Sequence, residues 1–189
     1  MRVLDCCAAP GGKSFAAAIA MQNEGSVTSC DIHAHKVSLI EKGAARLGIS
    51  IVHARQADAS QFEPEFEAGF DVVIADVPCS GLGGIRKKPD IRYKDLAPMQ
   101  KLPQVQAAIL ENVSRYVKPG GVLVYSTCTV LKRENENVAN AFLARHPEFR
   151  LEGFALPAGL DAQTDGMLTL YPHLHEADGF FICKLRKNV

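Results

Sequence analysis

Two cysteines stand where a reactive thiol could do chemistry. Cys79 lies in Asp76-Val77-Pro78-Cys79-Ser80-Gly81, and Cys128 lies in Ser126-Thr127-Cys128-Thr129. Each follows an apolar run, Asp71–Asp76 (DVVIAD) or Val122–Ser126 (VLVYS), that reads as a buried strand. The nucleophilic form of cysteine is the thiolate, so a catalytic cysteine needs a partly exposed setting that lowers its pKa. A loop of Pro, Gly, Ser and Thr just past a strand end offers one. Cys6, Cys30 and Cys183 sit in or beside apolar runs and read as buried structural thiols. The chain, at 189 residues, can fill one core without disulfides. It has no Cys-x-x-Cys pair, and His173 and His175 have no third ligand near them in sequence, so no metal site is expected.

Stepping strands must carry those loops to one edge. Arg2–Cys6, Ser26–Asp31, Ile51–Ala54, Asp71–Asp76 and Val122–Ser126 read as strands. Between them, Lys13–Met21, Ala34–Leu47 and Met99–Val117 read as helices, the last stopped by Pro119-Gly120-Gly121. Arg133–Arg145 is a further helix, its acidic start read as N-terminal capping. Met167–Leu170 and Phe180–Leu185 read as two strands joined by a loop, with no helix between them. Alternating strands and helices predict an α/β fold with a doubly wound, mostly parallel sheet, closed at one edge by an antiparallel C-terminal hairpin. The strands at the cysteines are then neighbours, and both thiols reach the same sheet edge.

That edge also carries Asp5-Cys6-Cys7-Ala8-Ala9-Pro10-Gly11-Gly12-Lys13-Ser14, between the first strand and first helix. Ligands of open parallel sheets sit beyond the carboxyl ends of the strands. A Walker A loop would need glycine where Cys7 stands, and no GxGxxG is present. The remaining reading is a loop that cradles the amino-acid end of S-adenosylmethionine. Asp31, about twenty residues beyond Gly12, is placed for ribose hydroxyls. Asp58 is placed for the adenine amino group, and Asp76 for the boundary between cofactor and substrate.

A methyl donor beside two cysteines suits a carbon that is a poor nucleophile, such as carbon 5 of cytosine. Thiolate addition at carbon 6 makes carbon 5 enamine-like. The segments DCCAAPGGKS, DVPCSGLG, KKPDIRYK, YSTCTV and YPHLHEADGFFICKLRK resemble those of the RNA (cytosine-5) methyltransferases, the last in the bacterial group acting on small-subunit ribosomal RNA. The resemblance implies a Rossmann-like class I methyltransferase domain over residues 1–189, with a seven-stranded sheet. It implies that Cys128 is the nucleophile, that Cys79 assists release, and that Cys7, Ala8, Ala9, Pro10, Gly11, Gly12, Lys13, Asp31, Asp58 and Asp76 line the cofactor site. It also implies an N-terminal RNA-binding domain in full-length relatives, absent from this sequence.

The alternatives are a transfer-RNA methyltransferase, a DNA cytosine methyltransferase in which Cys79 attacks, and a module that binds cofactor or RNA without catalysis. Net charge is zero, with 21 basic and 21 acidic residues, which gives RNA no global attraction. The local cluster Arg86, Lys87, Lys88, Arg92 and Lys94, with Tyr93, is the candidate for phosphate contacts around a flipped base. No apolar run reaches the roughly 20 residues of a membrane span. No signal-peptide layout opens the sequence, so a cytoplasmic location is expected.

Overall fold

The computed structural model describes residues 1–156 and 163–189. Strand β1 (Arg2–Asp5) leads through the glycine loop to helix α1 (Gly12–Ala20). Then follow β2 (Ser26–Asp31), α2 (Ala34–Arg46), β3 (Val52–Gln56), β4 (Phe70–Asp76), α3 (Leu102–Ser114), β5 (Val117–Thr127) and α4 (Glu136–Arg145). The C-terminal part adds β6 (Phe149–Leu151), β7 (Phe154–Ala155), β8 (Gln163–Thr164), β9 (Met167–Leu170), the short helix α5 (Pro172–His175) and β10 (Phe180–Lys187). β7 and β8 pair apart from the main sheet.

The main sheet runs β3-β2-β1-β4-β5-β10-β6, with β9 also paired to β10. Its first five strands are parallel, and β10 is antiparallel to β5. β6 and β9 share the outer edge of β10, so eight strands occupy seven positions. Alternation along each strand divides the core into two layers. Val3 and Val27 pack toward Ala18 of α1. Leu4, Val73, Leu123 and Tyr125 pack toward Leu110, Val113 and Phe142 of α3 and α4. The strand order reverses between β1 and β4, and the loops after both strands open at that switch point.

Three expectations are corrected. The helix expected over Met99–Val117 is only Leu102–Ser114, and Val117 already belongs to β5. Pro119-Gly120-Gly121 therefore stops no helix. It lies inside β5, where the pairing with β4 shifts register between Phe70 and Val72. The strand's apolar run hid this, because Val113 and Val117 are both fully buried, one at a helix end and one in the sheet. The C-terminal pair is a hairpin, as expected, but the helical turn α5 stands between its strands. The fourth long helix begins at Glu136, not Arg133: Asn135 is its N-cap residue and Glu136 the acidic residue of its first turn, but no side chain caps it, and Glu134 and Asn135 are wholly buried.

Candidate active site

The carboxyl ends of β4 and β5 are in register, with Asp76 opposite Ser126. That register brings the two cysteine loops together, leaving the Cys79 and Cys128 sulfurs 2.8 Å apart. The Cys128 N–H also donates to the Cys79 sulfur at 3.2 Å. Cys128 is exposed and Cys79 half-buried. Burial pushes the Cys7, Cys30 and Cys183 thiols up to about 12, and raises Cys6 well above the usual thiol range. Cys128 alone is lowered, to about 7, chiefly because Cys79 hydrogen-bonds to it, against an opposing effect of burial. The same hydrogen bond and burial raise Cys79. The contact thus acts on the two thiols in opposite directions, favouring ionisation of Cys128 and opposing that of Cys79.

Asp76 faces this pair from the end of β4. Its Oδ1 accepts the Ser126 hydroxyl at 2.7 Å, and its Oδ2 is paired with Lys13 Nζ at 2.5 Å. Lys13 Nζ also lies 5.1 Å from the centroid of the Phe180 ring. Lys13, expected in the cofactor loop, therefore reaches away from that loop toward Asp76 and the thiols.

On the other side of the switch point, an open cleft of about 380 Å³ is lined by Cys7, Asp31, Ile32, Asp58, Pro78 and Val105, among others. Its size suits a ligand such as S-adenosylmethionine. Of the glycine loop, Cys6 and Cys7 line it, while Ala8, Ala9, Pro10, Gly11 and Gly12 follow in the turn beyond and do not. Gly11 adopts φ 111°, which an L side chain resists, and a Cβ there would lie 2.4 Å from the Phe15 ring. Ala8 N–H donates to the Cys30 carbonyl, and Gly11 N–H to that of Ala8, folding Ala9 and Pro10 into a tight turn before Gly12 opens α1. Asp31 Oδ1 accepts the His33 N–H at 3.0 Å, and Asp58 Oδ1 accepts both the Ser60 N–H and its hydroxyl. Both carboxylates are thereby oriented at the cleft wall. Ile32 and Val105 are about half exposed there (51% and 43%), apolar faces suited to either side of a flat base. The sequence reading missed both. Ile32 could have been found, as an apolar residue directly after a strand-end carboxylate.

Beneath the loop, Asp5 is wholly buried. Its Oδ2 accepts the Ser14 hydroxyl, which in turn accepts that of Ser29, and its Oδ1 has no partner. Of the basic cluster, Lys87 is paired with Asp178 and Lys94 Nζ donates to the Ser80 carbonyl, while Arg92 lies over the Tyr93 ring. All five cations are exposed, beside the Cys79 loop. His173 and His175 fall on α5, and His175 Nδ1 accepts the Tyr171 N–H. Among the described residues no cluster of His, Cys, Asp and Glu is arranged to hold a metal ion. No helix among them is long and apolar enough to cross a membrane.

Residues 1–186 match the family model of 16S rRNA methyltransferase RsmB/F. The chain belongs to that family. It is 47% identical to the probable ribosomal RNA small subunit methyltransferase B of Bacillus subtilis (strain 168), over 98% of this chain and 43% of the relative. It is 36% identical to the ribosomal RNA small subunit methyltransferase F of Escherichia coli O9:H4 (strain HS), over 99% of this chain and 40% of the relative. Among solved structures, NSun6 from Pyrococcus horikoshii with SFG superposes with a TM-score of 0.81 at 31% identity, over 98% of this chain and 47% of that one. The chain thus spans less than half the length of these family members, and the part it spans holds both cysteine loops and the cleft.

Proposed function

We propose that this chain is the catalytic domain of an S-adenosylmethionine-dependent methyltransferase that acts on carbon 5 of a cytosine in RNA, with small-subunit ribosomal RNA as substrate. The observation that carries the reading is the juxtaposed thiol pair, an exposed Cys128 with its sulfur 2.8 Å from that of Cys79. The names of the relatives support the RNA substrate.

Cys7, Ala8, Ala9, Pro10, Gly11 and Gly12 are the residues to hold the amino-acid end of the cofactor, with Asp31 at its ribose and Asp58 at its adenine. Bound there, S-adenosylmethionine supplies the methyl group as an electrophilic sulfonium. Cys128 attacks: its Sγ lone pair forms a bond to carbon 6, and the electrons of the carbon 5–carbon 6 double bond make carbon 5 nucleophilic. Asp76, held by Lys13 and Ser126, is placed to hydrogen-bond the base edge and favour the ring protonation that accepts the thiolate. Once methylated, carbon 5 still carries its proton. Loss of that proton to a base restores the double bond and expels Cys128 as thiolate. Cys79 assists by donating its hydrogen bond to the departing sulfur. A DNA-type mechanism with Cys79 as nucleophile would need the ionisation preference of the pair reversed.

RNA containing 5-fluorocytosine tests the assignment, because fluorine at carbon 5 blocks proton loss and the covalent adduct persists. The unaltered chain is expected to be trapped and Cys128→Ala is not. Cys79→Ala is expected to accumulate adduct on ordinary cytosine. If Cys79→Ala abolishes trapping while Cys128→Ala retains it, the roles are reversed and the assignment is wrong.

A further inference from the structure

The segment Arg133-Glu134-Asn135-Glu136 follows the Cys128 loop. Polar as it is, Glu134 and Asn135 are both fully buried. Glu134 Oε2 accepts the Ser80 N–H at 2.8 Å and Gln106 Nε2 at 3.0 Å. Gln106 Nε2 also donates to the Pro78 carbonyl at 3.0 Å. Cys79 is therefore gripped at the residue before it and the residue after it. Asn135 grips Cys128 in the same way. Its Oδ1 accepts the Thr127 hydroxyl at 2.5 Å, and its Nδ2 donates to the Thr129 carbonyl at 3.0 Å. The two loops are tied directly where the Ser80 and Thr129 hydroxyls meet at 2.8 Å.

Two consecutive residues of one turn thus bracket both thiols. The arrangement carries a cost. A buried carboxylate is costly to desolvate, and Glu134 Oε1 and Gln106 Oε1 are buried without partners. What the polar pair adds is geometric: directional contacts to the residues that flank the two sulfurs.

We infer that Glu134 and Asn135 are positioning residues that set the separation of the two thiols, Glu134 through the Cys79 loop and Asn135 through the Cys128 loop. The inference rests on the proposed pairing of a nucleophilic Cys128 with Cys79 and deepens it. Glu134 acts by accepting hydrogen bonds, so an amide in its place suffices: a glutamine oxygen can accept from the Ser80 N–H and from Gln106 Nε2 as the carboxylate oxygen does.

The test needs only the chain itself. Alkylation by iodoacetamide is followed against pH at each cysteine by peptide mass spectrometry. Cys79, Asp76 and Lys13 are the ionisable groups acting on Cys128, and its alkylation midpoint reads its contact with Cys79. The unaltered chain is expected to show a midpoint near 7. Glu134→Ala, Glu134→Asp and Asn135→Ala are expected to move it up by more than one unit, toward the ordinary thiol value of about 8.5. Glu134→Gln is expected to leave it in place. Buried Cys183 is the control for folding: should it become reactive in an alanine variant, that variant has unfolded and the milder Glu134→Asp decides. A midpoint that stays put in Glu134→Asp with Cys183 protected overturns the inference. The proposed function fails on a different result, an unchanged alkylation profile with no adduct on 5-fluorocytosine RNA.

Discussion

Asp5 shows how one carboxyl group links the cofactor loop to the stability of the domain. Burial raises its pKa to about 6, outweighing the hydrogen bond from Ser14, with Asp76 adding to the rise. An unfolded chain ionises this group near 3.8. Between about pH 4 and 6 the folded protein therefore binds a proton that the unfolded chain has lost, and stability falls as pH rises through that window. Above pH 6 the loss is complete and the folded state carries a buried charge. A two-unit difference corresponds to about 2–3 kcal/mol. Asp5→Asn keeps an acceptor for Ser14 and removes the titration. Urea unfolding at pH 4 and pH 7 is expected to show a decline smaller by about 2 kcal/mol in Asp5→Asn than in the unaltered protein. An equal decline in both would mean that Asp5 ionises normally in the folded state.

At the scale of elements, the turn Leu82–Arg86 holds the Cys128 loop against the loop that enters β10. Gly83 N–H donates to the Cys128 carbonyl at 2.9 Å, and Gly179 N–H donates to the Gly83 carbonyl at 2.8 Å. A Cβ on Gly83 would fall 1.8 Å from the Gly179 oxygen. Gly83→Ala must push two backbones apart, and is expected to cost about 2–3 kcal/mol. A Tm about 4–12 °C lower, measured calorimetrically, would accompany that loss, at about 2–4 °C per kcal/mol for a chain of this size. Trapping on 5-fluorocytosine RNA should weaken with it. The strands that carry the chemistry were legible because their apolar runs end in Asp31, Asp76 and Thr127, where polarity switches abruptly. The grip of Glu134 and Asn135 was not. Polar residues before an apolar helix have the composition of a cap, and only the packing of the β4 loop against the β5 loop turns them inward. The Pro-Gly-Gly irregularity in β5 was hidden for a related reason, since the same residues end helices in other settings.

At the scale of the whole molecule, zero net charge leaves RNA attraction to local cations. Lys87 and Lys94 already have partners, so Arg86 and Lys88 are the exposed cations most available to phosphates. Arg86→Ala with Lys88→Ala is expected to reduce the magnitude of the slope of log binding constant against log salt by about 1.4–1.8, as two lost phosphate contacts require. Filter binding over a series of salt concentrations would measure it, and an unchanged slope would remove the cluster from the interface. The position of β10 has a consequence of another kind. It is the last strand in the chain, yet it lies between β5 and the outer edge, with Phe181, Cys183 and Leu185 fully buried. Its partner β5 ends more than fifty residues earlier. During synthesis β5 therefore waits as an open edge, ready to pair with any extended chain, until β10 has left the ribosome. A chain truncated before Phe180 keeps the β5 edge open, and with it a template for edge-to-edge association.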